Sequence, residues 1–331
     1  MKTYMFIGCK DLIDYYLTDE LLNNNVIVVD YVEKKEYLYN AGFKGNKKRK
    51  IKSDKYSSYS LKLDSDKFRN LLLSAKPDCI VIGMTNYYKS YDLFKVMDYL
   101  NELFVYHKYN LIYLSSLDNN KRRKLFDESF ELVLSNSNIT NKILRIGSLV
   151  GYNTFLGDLE KRISQIINRT SELFKYNDFY LLDVRDLMNI IVMVDKYMSS
   201  NKDDSSILYY YNKDNIDLKT IDSLIINYFQ LRDFYQNDME EYYKNNCFSN
   251  SVKSNNHLKY GNYIGIKESI INTCEWYKKT HAIVKKLKSS IKSIIDSSNK
   301  EELNELFVKY HQNYLVNKEV VDYIKEKKDS K

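Results

Sequence analysis

Proline occurs once and glycine nine times in the 331 residues, against 32 tyrosines. That skew, shared with a surplus of lysine and asparagine, carries the mark of coding bias in an AT-rich genome. A single tyrosine, lysine or asparagine therefore says little about function, whereas a residue set against the bias says more. The four cysteines, Cys9, Cys79, Cys247 and Cys274, form no Cys-x-x-Cys pair, so free thiols in a reducing compartment are the expected state. The four histidines, His107, His257, His281 and His311, form no His-x-x-x-His motif and no Cys/His cluster, so no metal site is expected. Neither a Gly-x-Ser-x-Gly elbow nor a Walker loop occurs. No apolar run reaches the roughly 18 residues of a membrane span, and no signal-peptide core opens the chain. The expectation is a cytoplasmic protein with no membrane partner.

What is present is enough apolar sequence, 44%, to fill one large α/β domain. The net charge of +7 is spread along the chain apart from "KGNKKRKIK" (44 to 52) and "KRRK" (121 to 124). Both read first as solvated loops. Neither has the aromatic interleaving of a single-strand binder, so no nucleic-acid partner is expected.

Short apolar runs alternate with segments of helical period, the pattern of βαβ units and a parallel sheet. Strands are expected at "TYMFIG" (3 to 8), "VIVVD" (26 to 30), "YSLKLD" (59 to 64), "DCIVIG" (78 to 83), "NLIYLSS" (110 to 116), "NKILRIG" (141 to 147) and "SILYYY" (206 to 211). Helices are expected at about 11 to 24, up to 75, 88 to 107, 121 to 136 and 218 to 229. In the third of these, Leu93, Val96, Met97, Leu100, Leu103 and Phe104 recur at spacings of three and four. "DFYLLDVRDLMNIIVMVDKYM" (178 to 198) reads as strand, turn and helix. Residues 232 to 262 show no clean period, and helical patterns return at "IGIKESIINTCEWYKK" and "IVKKLKSSIKSIID". Asn299 and Glu302 then stand at capping-box spacing. The expected domains are a Rossmann-like core over 1 to 175, remaining core elements with a substrate-type subdomain over 176 to 281, and a helical extension over 282 to 331. The extension either packs back on the body or serves a protein partner.

Several of these stretches, in order, resemble the extended short-chain dehydrogenase/reductase proteins, the group of NAD-dependent nucleotide-sugar epimerases and dehydratases. "IGCKDLIDYYLTDELL" stands for the family's TGxxGxxGxxLxxxLL turn and helix, and "LKLDSDKFRNLLLSAKPDCIVI" for the segment leading into its fourth strand. "LIYLSS" matches the strand bearing the catalytic Ser or Thr, "ILRIGSLVGYN" the strand after it, and "FYLLDVRDLMNII" the later strand-to-helix turn. The likeness covers about residues 1 to 281. It implies a doubly wound parallel sheet with a smaller carboxy-terminal subdomain, a homodimer, and a nucleotide-sugar-like ligand.

Carried over residue by residue, the functional positions diverge. The first fingerprint glycine falls on Gly8, the second on Asp11 and the third on Asp14. In the family those glycines let the backbone approach the pyrophosphate at a helix amino terminus. Asp11 would cap that helix itself, and each carboxylate facing a phosphate charge costs about 1 kcal/mol at 4 Å in water. Asp30 keeps the acidic residue that holds the adenosine ribose. Met84 and Thr85 replace small residues after the fourth strand. The family's Tyr-x-x-x-Lys pair, in which an ammonium lowers the phenol's pKa for proton exchange with a sugar hydroxyl, falls on Arg123 and Asp127. Ser115 or Ser116 keeps the catalytic hydroxyl position. Arg145, Ser148 and Arg185 fall in segments that border the family's substrate cleft, where cations can meet a nucleotide diphosphate.

The resemblance thus implies an atypical, degenerate member that binds no cofactor and has no redox chemistry. Its expected role is as a binding, scaffold or regulatory subunit in a surface-sugar or secondary-metabolite pathway. The alternative is an active NAD(P)-dependent epimerase, dehydratase or reductase with NAD as cofactor and a non-standard active site.

Overall fold

The computed structural model describes residues 1–8, 18–30, 54–83, 90–117, 121–151, 158–168, 180–200, 206–212, 218–231, 260–261, 263–299, 301–304 and 323–329. By chain contacts, residues 1–31 and 49–276 make one compact unit, and residues 32–48 and 277–331 a second.

The first unit is built on β1 (Thr3–Ile7), β2 (Asn25–Asp30), β3 (Tyr56–Ser60), β4 (Cys79–Ile82), β5 (Asn110–Ser116), β6 (Asn141–Ile146), β7 (Ser148–Val150), β8 (Leu181–Asp183) and β9 (Ser206–Tyr210). Seven of them form one sheet in the order β3-β2-β1-β4-β5-β6-β9, every pair parallel. β7 and β8 pair separately. The helices are α1 (Asp19–Leu22), α2 (Asp66–Ala75), α3 (Ser90–Tyr106), α4 (Lys121–Ser135), α5 (Asp158–Asn168), α6 (Val184–Ser200), α7 (Leu218–Tyr228) and α8 (Ile266–Ser297). The sheet order reverses at β1, as in doubly wound dinucleotide folds.

Both faces of a parallel sheet must be covered, and strand alternation divides the apolar residues between two cores. Tyr4, Phe6, Val81, Ile112, Leu114 and Leu144 pack with Leu187, Ile190, Ile191 and Val194 of α6. Met5, Ile7, Ile80, Ile82, Leu111 and Tyr113 pack with Phe68 and Leu72 of α2, Val96 and Leu100 of α3, and Phe130 and Leu134 of α4.

The strand expected at 59 to 64 lies at Tyr56–Ser60 instead. Its partner β2 ends at Asp30, opposite Ser60, so the ladder ends there. Leu63 is buried in the core and Ser65 caps α2, its Oγ accepting from the Phe68 N–H at 3.3 Å. No turn separates β8 from α6, because Asp183 is itself the cap, accepting from the Arg185 N–H at 2.9 Å. Two carboxy-terminal patterns run together as the 32-residue α8, with no glycine or proline between Gly265 and Ser297 to stop it. β7 and α5 were not anticipated; α5 is signalled by Leu159, Ile163 and Ile166, all buried, at spacings of four and three. Arg162 of α5 is wholly buried and reaches Asp222 of α7 through Nε at 2.8 Å and Nη2 at 2.5 Å.

In the second unit the expected capping box forms. The Asn299 N–H donates to Glu302 at 2.8 Å, and the Glu302 N–H to Asn299 at 3.0 Å. Ile295, Leu303 and Ile324 are buried, while Tyr323 and Lys327 both bond Asp296. Among the described residues no helix is long and apolar enough to cross a membrane.

Candidate functional site

In such sheets ligands meet the carboxyl edge of the strands where the order reverses. There the chain leaves β1 through Gly8, whose φ of 84° is a conformation that side chains disfavour. Its N–H donates to the Val29 carbonyl at 2.8 Å, and the Gly83 N–H to the Ile7 carbonyl at 3.0 Å. Asp30 ends β2 opposite Ser60. Its side chain, together with Asp11, Asp14, Met84 and Thr85, lies outside the described residues.

Two strands along, β5 and α4 form a ladder of hydroxyls and carboxylates. Tyr113 and Ser115 alternate with Ile112 and Leu114 and so lie on the α4 side of the sheet, while Asp127 and Glu131, four apart, share one side of α4. The Tyr113 hydroxyl donates to Asp127 at 2.7 Å, and the Ser115 hydroxyl to Glu131 at 2.6 Å. The second Asp127 oxygen accepts from the Ser116 N–H at 3.2 Å. Ser115, Asp127 and Glu131 are all buried. Arg123 lies on α4 one turn before Asp127, with its side chain outside the described residues.

Arg145 closes the ladder. It pairs across the sheet with Ser115 on one side and Tyr209 on the other. That register brings Nε within 3.1 Å and Nη2 within 2.5 Å of the Glu131 carboxylate, and Nη1 within 3.0 Å of the Tyr209 hydroxyl. The hydrogen bonds to Glu131, opposed in part by burial, push the guanidinium pKa up further. The structure thus brings Ser115, Asp127 and Arg145 together. Glu131, Tyr113 and Tyr209 were not singled out beforehand, although Glu131 stood in the "ELV" used to set the register of α4.

Arg185 belongs to another cluster. Its Nε and Nη2 each lie 2.9 Å from Asp183, and its Nη1 3.0 Å from Glu268. Hydrogen bonding to Asp183 is the main cause of its raised pKa. Asp183 also accepts from the Ser269 hydroxyl at 2.6 Å. Next to it, Asp186 accepts from the Tyr260 hydroxyl and the Ile264 N–H, both at 3.0 Å, yet burial raises its carboxyl pKa. The Ser148 N–H donates to the Tyr180 carbonyl at 2.6 Å. A Cβ on the preceding Gly147 would stand 2.6 Å from that same oxygen, so the close approach needs glycine.

Chemically, the α4 ladder is a set of hydroxyl donors held by carboxylate acceptors. Position 127 carries a buried carboxylate engaged by a phenol and a backbone N–H. Burial also pushes the Cys274 thiol up to about 12 and raises that of Cys79, away from nucleophilic use. Among the described residues no group of three or more metal-ligating side chains occurs.

No protein-family model matches the chain, and no curated protein does. Solved structures do resemble it. The Bordetella bronchiseptica enzyme WbmH, solved with NAD+, is 12% identical with a TM-score of 0.58 over 84% of this chain and 99% of that one. The UDP-N-acetylglucosamine 4-epimerase of Methanobrevibacter ruminantium, solved with UDP-N-acetylmuramic acid, is 11% identical with a TM-score of 0.54, covering 84% and 98%. The dTDP-glucose 4,6-dehydratase of Bacillus anthracis, solved with NAD, is 12% identical with a TM-score of 0.54, covering 86% and 98%. The chain therefore shares the Rossmann-type fold of these three enzymes.

Proposed function

We propose that this chain is a non-redox relative of the nucleotide-sugar epimerases and dehydratases, a cytoplasmic binding, scaffold or regulatory subunit in a surface-sugar or secondary-metabolite pathway. One observation carries the reading. The Asp127 carboxylate, at the family's lysine position, is buried against the Tyr113 hydroxyl and the Ser116 N–H, while the Ser115 hydroxyl is committed to Glu131. A group so engaged offers no proton to a sugar hydroxyl without breaking a buried hydrogen bond, at a cost of about 1 to 3 kcal/mol.

The ligand class we assign to the cleft is a nucleotide sugar, in line with the UDP-sugar held by the Methanobrevibacter epimerase. Gly8 and Asp30 are the residues retained from the dinucleotide site; Ser148 and Arg185 remain candidates for the sugar-nucleotide side. Native mass spectrometry of freshly purified protein tests the reading: a retained nucleotide sugar or an empty cleft is expected, and a retained NAD or NADP contradicts it.

A rival reading, an active NAD(P)-dependent epimerase, dehydratase or reductase with its acid/base group supplied elsewhere, is favoured by the NAD found in WbmH and in the Bacillus dehydratase. It requires turnover on a sugar-nucleotide panel that Ser115→Ala abolishes.

A further inference from the structure

Basic residues occur along the whole chain, but their excess over acidic ones falls in one of its two units. Residues 32–48 and 277–331 carry 18 lysines against ten acidic residues, a net of +8, while the remainder carries 33 basic and 34 acidic residues, a net of −1. Six of those lysines, Lys278, Lys279, Lys285, Lys286, Lys288 and Lys292, fall on α8, with no acidic residue until Asp296.

The helical backbone runs unbroken through this stretch. At about 100° per residue the six lysines fall on one half of the circumference, and Ile283, Leu287, Ile291, Ile294 and Ile295 on the other. At the carboxyl end of the helix Ile295 is buried, as are Leu303 and Ile324 of the same unit.

We propose that this strip is a docking surface for an anionic phospholipid membrane, held by charge and not by insertion. Clusters of four to eight lysines on an amphipathic helix are drawn to anionic leaflets, and the attraction grows with each lysine brought near. The residue types favour a lipid surface over a nucleic acid. The unit contains no arginine, so it lacks the planar fork that reads phosphates and base edges bidentately. No Phe, Tyr or Trp lies between Lys278 and Ser297 to stack a base. Peripheral attachment of this kind needs no apolar span, so it is compatible with the lack of one. It does not depend on the chemistry of the cleft.

The test is co-sedimentation of the full chain with phosphatidylcholine vesicles, with and without phosphatidylglycerol. Binding is expected only with phosphatidylglycerol, weakening steeply between about 50 and 200 mM salt as screening shortens. The triple variant Lys285→Glu/Lys288→Glu/Lys292→Glu should bind at least about a hundredfold more weakly, and its glutamine counterpart should show a smaller loss in the same direction. No sedimentation at low salt, equal sedimentation with both vesicle types, or tighter binding to duplex DNA than to the anionic vesicles overturns the proposal. The salt and lipid dependence of the unmutated chain decides the matter even if the variants fold poorly.

Discussion

The Ser115 hydroxyl donates to Glu131 over 2.6 Å, and the same carboxylate is held by two nitrogens of Arg145. Ser115 is thereby tied into an ion pair that joins β5, β6 and α4. Replacing Glu131 with Gln removes the charge that Arg145 faces and leaves a partly buried cation. We expect a loss of about 3 kcal/mol in urea unfolding. A double-mutant cycle with Arg145→Ala should return a coupling well above that of a surface pair; additive single effects would refute it.

A lysine at position 127 should harm this protein. Asp127→Lys sets an ammonium against the Ser116 N–H, a donor facing a donor, at a position where the native side chain is buried. We expect a loss of about 3 kcal/mol in stability, with no gain in NAD binding. A stable Asp127→Lys variant would mean that the ladder is more adaptable than its hydrogen bonds indicate.

How far the sequence anticipated this arrangement differs between fold and site. β1, β2, β4, β5, β6 and β9 announced themselves because a doubly covered parallel sheet needs near-continuous apolar strands. "YSSYS" did not, since edge strand β3 is only partly buried and its polar residues resemble a loop. In the site, the partners of Asp127 come from β5, and the link from Glu131 to Arg145 depends on strand pairing that no local pattern contains. The arginines looked like ligand-facing cations in sequence. Their carboxylate partners, Glu131 and Asp183, became visible only once the strands were placed side by side.

The buried pair of Arg162 and Asp222 gives a separate test of packing. Asp222→Ala leaves a wholly buried guanidinium without its carboxylate, at an expected cost of about 3 to 5 kcal/mol. The double replacement Arg162→Met/Asp222→Leu should cost less than the single change, because it removes both desolvated charges. Chemical denaturation of the two variants checks the order, and a double variant weaker than the single would reverse it.

Asp186 sets a pH dependence. Burial raises its carboxyl above the ordinary value despite its two hydrogen bonds, so the folded chain holds this proton to higher pH than the unfolded chain. The sign follows: its contribution to stability is greatest below the unfolded value of about 3.9 and declines as pH rises to the folded one. Asp186→Asn stays neutral throughout. The stability of the wild type relative to that variant should therefore fall as pH rises through this window, and a constant or rising difference would oppose the assignment.

Isothermal titration calorimetry of the purified chain with NAD, and separately with UDP, alongside turnover on a sugar-nucleotide panel, tests whether this protein is a non-redox nucleotide-sugar binder. No NAD binding in the micromolar range and no turnover are expected, with UDP the nucleotide that gives heat. Stoichiometric micromolar NAD binding that Asp30→Ala abolishes would contradict it.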